Sequence, residues 1–176
     1  MKRWLLFPAI LVLCMLLGGC AVQQTKQLSP ESLQFSFANP AVLTVGEQTY
    51  SCVVRHDLTQ KTRISFTEEG ALQSFSFEKT PEKLTVSYGE LTYPVRSAGF
   101  PEDSPLCLLA GLLDYSQSYT NLTPVGEREF TGEYQGQSFT LTANADGSLQ
   151  QLTVEQGFTV EFLPATDSSD KTESVS

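Results

Sequence analysis

The sequence predicts a mainly β domain in which one large curled antiparallel sheet of about ten strands carries a single helix on one face. Three observations carry that prediction. From Leu33 to Leu163 apolar and polar residues alternate with period two almost without a break, the pattern of strands with one dry and one wet face. Gly46-Glu47, Gly89-Glu90, Gln135-Gly136 and Asp146-Gly147 divide the runs with tight turns, so that neighbours in sequence become neighbours in a meander. Pro105 to Tyr115 alone breaks the alternation: Leu106, Leu109 and Leu113 recur at helical spacing, with Leu108 and Leu112 widening the stripe.

Taken in order, Leu33, Phe35 and Phe37 face one way and Gln34 and Ser36 the other, and Asn39-Pro40 reads as an interruption before Ala41–Val45. Tyr50 to His56, then Ile64 and Phe66, then Phe75 and Phe77 continue the pattern, followed by Leu84, Val86 and Tyr88 and by Leu91, Tyr93 and Val95. Asp103-Ser104-Pro105 supplies a capping residue and a proline at the first helical turn, where its missing N–H costs nothing. Ser116 to Thr123 is a polar connection, after which Glu127–Tyr134, Gln137–Ala143, Leu149–Val154 and Phe158–Leu163 complete the set. A helix of roughly 16 Å cannot cover a flat sheet of this width, so the sheet must curl. Either it closes on itself as a barrel or sandwich, or it remains a half-barrel with the helix as its lid.

The first nineteen residues read as an export signal. Lys2 and Arg3 precede an apolar run from Trp4 to Leu17, which is short for a spanning helix. The run ends Leu17-Gly18-Gly19-Cys20, which resembles the lipobox of bacterial lipoproteins and implies that Cys20 is lipidated and becomes the N-terminus. Acyl chains such as palmitate, at roughly 0.8 kcal/mol per buried methylene, would anchor the chain to the cell membrane on its extracytoplasmic face. Residues 20–32 then form a lipidated tether, 33–164 the domain, and 165–176 a disordered tail with one Val and no aromatic residue.

Loss of residues 1–19 removes Lys2 and Arg3, leaving nine basic against twenty acidic residues, a net charge of −11. Such a surface repels phosphate backbones and excludes nucleic acid as a partner. Cys52 and Cys107 remain in a compartment that permits a disulfide, but both sit in apolar runs where a free thiol packs as a small hydrophobe. Their pairing stays open.

The domain resembles the LolA/LolB superfamily of lipoprotein carriers and their lipoprotein relatives. The likeness runs from Leu33 to Pro164 and rests on Phe35-Ser-Phe37-Ala, Tyr50-Ser-Cys-Val-Val, Tyr88-Gly-Glu-Leu91, Phe130-Thr-Gly132-Glu-Tyr134, Phe139-Thr-Leu141 and Phe158-Thr-Val-Glu-Phe162. It implies a half-barrel with a helical lid over an apolar groove. An anchored chain is similar to the receptor-like or stand-alone members rather than to the soluble carriers. The carriers hold their lid with a lone basic residue, and no residue here aligns with it, Arg63, Arg96 and Arg128 being unsupported choices. Relatives in spore-forming bacteria act by binding a protein partner, which makes a protein ligand the alternative to a lipid.

Enzyme chemistry finds no convergent constellation. His56 is the sole histidine; Asp57 follows it, but no Gly-x-Ser-x-Gly elbow accompanies them. Glu68-Glu69 and Glu102-Asp103 are adjacent pairs that point to opposite faces of a strand, so neither is preset for acid–base work. Asn144 and Asp146-Gly147 read as a hairpin turn, not a calcium loop, because the twelve-residue ligand pattern is missing. The sequence therefore predicts a non-enzymatic binding lipoprotein without cofactor or metal. Its groove would be lined by Phe35, Phe37, Phe66, Phe75, Phe77, Tyr88, Phe130, Phe139, Phe158 and Phe162 beneath a lid of Leu106, Leu109, Leu112 and Leu113. It would take an acyl chain, a lipidated peptide or an apolar segment. The alternative is a protein that docks an envelope or spore cell-wall enzyme through its sheet.

Overall fold

The computed structural model describes residues 27–95, 101–155 and 157–165. Cys20, the export signal, Arg96 and all but the first residue of the tail lie outside the described residues. Eleven strands form one antiparallel sheet: β1 (Phe37–Val45), β2 (Gln48–His56), β3 (Thr62–Phe66), β4 (Phe75–Lys79), β5 (Leu84–Tyr88), β6 (Leu91–Val95), β7 (Thr123–Pro124), β8 (Glu129–Tyr134), β9 (Gln137–Ala143), β10 (Leu149–Val154) and β11 (Phe158–Phe162). Their spatial order is β6-β5-β4-β3-β2-β1-β11-β10-β9-β8-β7, so the sheet is open and curled, a half-barrel rather than a closed barrel. The first and last strands pair at its centre, from Ala41 opposite Phe162 to Val45 opposite Phe158. Two meanders run outward from that pair, as the tight turns require. One helix, α1 (Pro105–Ser116), lies in the connection that carries the chain from one edge, β6, to the other, β7.

Three details differ from the sequence expectation. Asn39-Pro40 does not interrupt: β1 runs through Pro40, which stands opposite Val53. The Pro40 carbonyl accepts from Leu163 N–H at 2.8 Å, one residue past the end of β11. The donor that proline lacks would point the same way, at the end of the β1–β11 ladder, so proline forfeits at most one terminal bond there. The eleventh strand is the two-residue β7, too short to leave an alternating signature. Gln27 to Ser32, part of the expected tether, lie on the domain: the Leu28 N–H donates to Glu127 O at 2.7 Å, and Leu28 packs against the core.

The helix begins as its sequence dictates. Ser104 Oγ accepts from the Cys107 N–H, and Pro105 takes the first turn. Leu108 to Leu113 are buried without a break, so α1 is enclosed all round and serves as plug as well as lid. Gly111 makes that possible on one side, because a Cβ there would stand 2.4 Å from the Tyr134 hydroxyl on β8. On the other side the helix meets β3 and β4. Gly132 gives the same room within the sheet: a Cβ would stand 2.6 Å from Phe139 Cζ across the β8–β9 ladder.

Candidate functional site

The core face of the sheet is set by parity. Ala41, Leu43, Cys52, Val54, Ile64 and Phe77 are sealed on one side, where α1 packs against β3 and β4. Of the aromatics assigned to a groove, Phe35, Phe77, Phe130, Phe139, Phe158 and Phe162 are 4% exposed or less, and Phe66 is 8% exposed. Phe37 and Phe75 are half-buried and pack edge-on or tilted against Phe162 and Phe66 respectively. The expected open groove beneath the lid is therefore filled by the protein's own side chains. Leu109, Leu112 and Leu113 plug it, while Leu106 is only partly buried. Of the ten aromatics, Phe37 lines a cleft of about 450 Å³ and Phe158 one of about 490 Å³.

Tyr88 stands apart from the other nine aromatics. It points to the core face but is 53% exposed, and so are its hairpin neighbours Leu91 at 58% and Tyr93 at 56%. Tyr88 stands opposite both Leu91 and Phe75, and Tyr93 opposite Val86. The strip Val86, Tyr88, Leu91, Tyr93 thus continues the core past the reach of the helix. Gly89 adopts φ +59°, the left-handed conformation that a two-residue turn starting with glycine needs, and the turn holds Tyr88 beside Leu91. Exposed apolar area that is contiguous with the core marks an interaction surface more often than an accident of packing. Both sheet edges carry a proline, Pro94 on β6 and Pro124 on β7, and each removes a donor that an added strand would use. The apolar face rather than the bare edge is what this end offers.

Beside the strip, a polar cluster pins the C-terminal half of α1. Lys79, on the inward parity of β4, donates to Asp114 Oδ2 at 3.0 Å. Asp114 Oδ1 is buried with no hydrogen-bond partner and lies 4.0 Å from His56 Nδ1. His56 is 2% exposed; its Nδ1 meets Thr62 Oγ1 at 2.8 Å, and its Nε2 meets the Gln117 side-chain amide. That amide nitrogen also donates to Asp57 O at 3.0 Å, so Nε2 is the acceptor and the ring proton sits on Nδ1. Burial pushes the His56 imidazole down to about 4; Asp57 opposes the shift and Lys79 adds to it. Burial likewise raises the Asp114 carboxyl, and the Lys79 ammonium opposes that.

Lys79, Asp114 and Gln117 escaped the sequence reading, although a signal was there. Asp114 is the one charged residue in α1, and Lys79 continues the inward series Phe75, Phe77. Opposite charges on two apolar elements point at each other. Arg63 and Arg128 do not serve the helix in this way: Arg63 is exposed on the opposite face of the sheet and bonds Ser76 Oγ at 3.5 Å, and the Arg128 carbonyl simply accepts from Ala143 N–H.

The remaining candidates resolve into local structure. Asp146 accepts from Ser148 N–H at 3.0 Å and Oγ–H at 2.6 Å, as a hairpin turn requires. Glu68 accepts from the Ser51 N–H and hydroxyl. Cys52 and Cys107 are both free thiols, and burial, aided by the charge of Glu68, lifts the Cys52 thiol to about 12. Among the described residues no three His, Cys, Asp or Glu side chains gather as a metal site, and no helix is long and apolar enough to cross a membrane. No protein-family model matches the chain, and no curated protein matches it.

Proposed function

We propose that the chain is a membrane-anchored, extracytoplasmic, non-enzymatic lipoprotein that binds an apolar chain along the uncovered end of its core face. The single observation that carries this reading is the strip of Tyr88, Leu91 and Tyr93, each more than half exposed and continuous with the core. The ligand is an acyl chain, a lipidated peptide or an apolar protein segment. It lies beside the lid rather than beneath it, because the space beneath is occupied by Leu109 and Leu113. Ten methylenes placed on such a strip would contribute about 8 kcal/mol before ordering costs, enough for micromolar affinity.

The non-enzymatic reading is supported by His56, whose two ring nitrogens are both engaged inside the protein. The anchor reading rests on Leu17-Gly18-Gly19-Cys20. Seven Cα–Cα steps lead from Cys20 to Gln27, where the chain meets the domain, so the tether reaches at most about 25 Å and the domain stays close to the bilayer.

Native mass spectrometry of the full chain in neutral detergent, before and after organic extraction, tests the proposal together with the variant L91S/Y93S. An extractable acyl mass, or saturable binding of an added acyl probe, that the double variant loses supports the strip. Binding that survives L91S/Y93S, with the thermal midpoint of the variant retained, moves the ligand off the strip. Absence of any apolar ligand in the wild type, with a protein partner captured by crosslinking from the Arg63 side of the sheet, turns the reading to docking through the wet face.

A further inference from the structure

The wet face carries a feature that the apolar strip does not use. Arg55 on β2 stands directly opposite Arg63 on β3, and both are exposed. Like charges in a cross-strand pair repel, with Cβ atoms about 5 Å apart. The acids nearby do not neutralise them. Glu78 stands opposite Arg63 on β4, but its carboxylate pairs with Lys61 Nζ at 3.2 Å. Asp57 turns into its own loop, where Oδ1 accepts from Thr59 N–H at 2.8 Å, Thr59 Oγ1 at 2.5 Å and Lys61 N–H at 3.3 Å. Arg63 is left with one long bond to Ser76 Oγ at 3.5 Å, and the Arg55 guanidinium has no hydrogen-bond or ion-pair partner among the described residues. All of these charged groups line one cleft of about 450 Å³, which also reaches Ser36, Phe37, Ala38 and His56. Three cations against two engaged acids make it a positive notch on a chain whose formal net charge is −9.

From this geometry we infer that the Arg55–Arg63 notch is a binding site for a phosphate oxyanion. Two planar guanidinium forks side by side match a tetrahedral group with several free oxygens; a single carboxylate would fill only one fork. The volume suits a small or headgroup-sized ligand. An extended acidic polymer would carry its charge beyond the notch, over an acidic surface that repels it; a compact phosphate stays within the roughly 8–10 Å over which the notch dominates in salt. Seated there, the anion removes the repulsion between Arg55 and Arg63. Arg55 and Arg63 stand on the opposite face of the sheet from Tyr88, Leu91 and Tyr93, so the site does not depend on the apolar strip. The phosphate comes either from a soluble phosphorylated molecule or from an anionic lipid headgroup, which the short tether brings near.

Isothermal titration of the full chain in neutral detergent with inorganic phosphate tests the inference. Saturable binding is expected, weakened at least about tenfold in R55Q and in R63Q, the loss that goes with one charge-assisted partner. R55K, which keeps the charge without the fork, should fall between. E78Q should bind more tightly, because it frees Lys61 and removes a negative neighbour. Acetate should bind the wild type at least about tenfold more weakly than phosphate. Repeating the titration in micelles doped with phosphatidylglycerol separates the sources: loss of the phosphate isotherm there identifies the lipid headgroup, and its persistence identifies a soluble ligand. No saturable heat in the wild type up to about 10 mM phosphate, an affinity weaker than about 3 kcal/mol, overturns the inference. So does equal binding by the R55Q/R63Q double variant with its thermal midpoint retained.

Discussion

On β8 to β11, Phe130, Phe139, Leu141, Leu152 and Val160 are all at most 1% exposed, whereas on β5 and β6 Tyr88, Leu91 and Tyr93 keep more than half of their surface in water. Both sets occupy inward positions of equally alternating strands. What separates them is cover. The two-residue strand β7 extends the sheet beyond β8 in the first region, where Leu122 is buried and Tyr134 closes on α1 at Gly111 and Tyr115. A helix of twelve residues spans about 18 Å, while strands about 4.8 Å apart carry β5 and β6 beyond its flank. Inward parity is therefore a necessary condition for burial, and the reach of the covering element is the other. The half-barrel is a sealed core at one end and an exposed apolar shelf at the other.

Matched substitutions expose that contrast most directly. Leu109→Asp places a carboxylate at a position with no exposure and no partner, and should destabilise by more than about 4 kcal/mol or prevent folding. Tyr93→Asp, at an equally inward position of the uncovered strip, should change stability by no more than about 0.5 kcal/mol while abolishing binding of an apolar probe. Urea denaturation of the two variants measures the difference; comparable losses would mean that the strip is covered in solution.

Acid should act through the sealed cluster and spare the strip. The His56 imidazole is held at about 4 in the folded chain against an ordinary 6.5, so the unfolded chain takes up the proton first. Stability from this group is complete above pH 6.5 and falls as the pH drops towards 4, where the loss reaches about 3 kcal/mol. Asp114 works in the opposite sense, since its carboxyl is raised and its contribution falls as the pH rises through its folded value. Replacing His56 by Gln should flatten the descent between pH 6.5 and 4 that thermal melts record. An unchanged slope would place the acid sensitivity elsewhere.

The smallest of these effects concerns the join between the two regions. Lys79→Met removes the partner of Asp114 and leaves a half-buried carboxylate, at a cost of about 2 kcal/mol. Adding Asp114→Leu should return most of it, because replacing both partners removes the stranded charge. If K79M alone is silent in a denaturant titration, the ion pair does not hold the helix.

Much of this molecule can be read from its residues in order. Alternation with turn chemistry yields the strands, and Ser104-Pro105 with a leucine stripe yields the helix, because each depends on contacts within a few residues. The same local reading placed Asp146-Gly147 in a hairpin. Pro40 misled it, since whether a proline breaks a strand depends on where the neighbouring strand ends, and Leu163 lies far along the chain. The pairing of β1 with β11, the Lys79–Asp114 ion pair and the Arg55–Arg63 notch escaped for the same reason: register across the sheet is a long-range quantity. Sequence alone determined which side chains face the core. Only the tertiary structure decided which of them are covered, because cover depends on where an 18 Å helix lies across a sheet wider than itself.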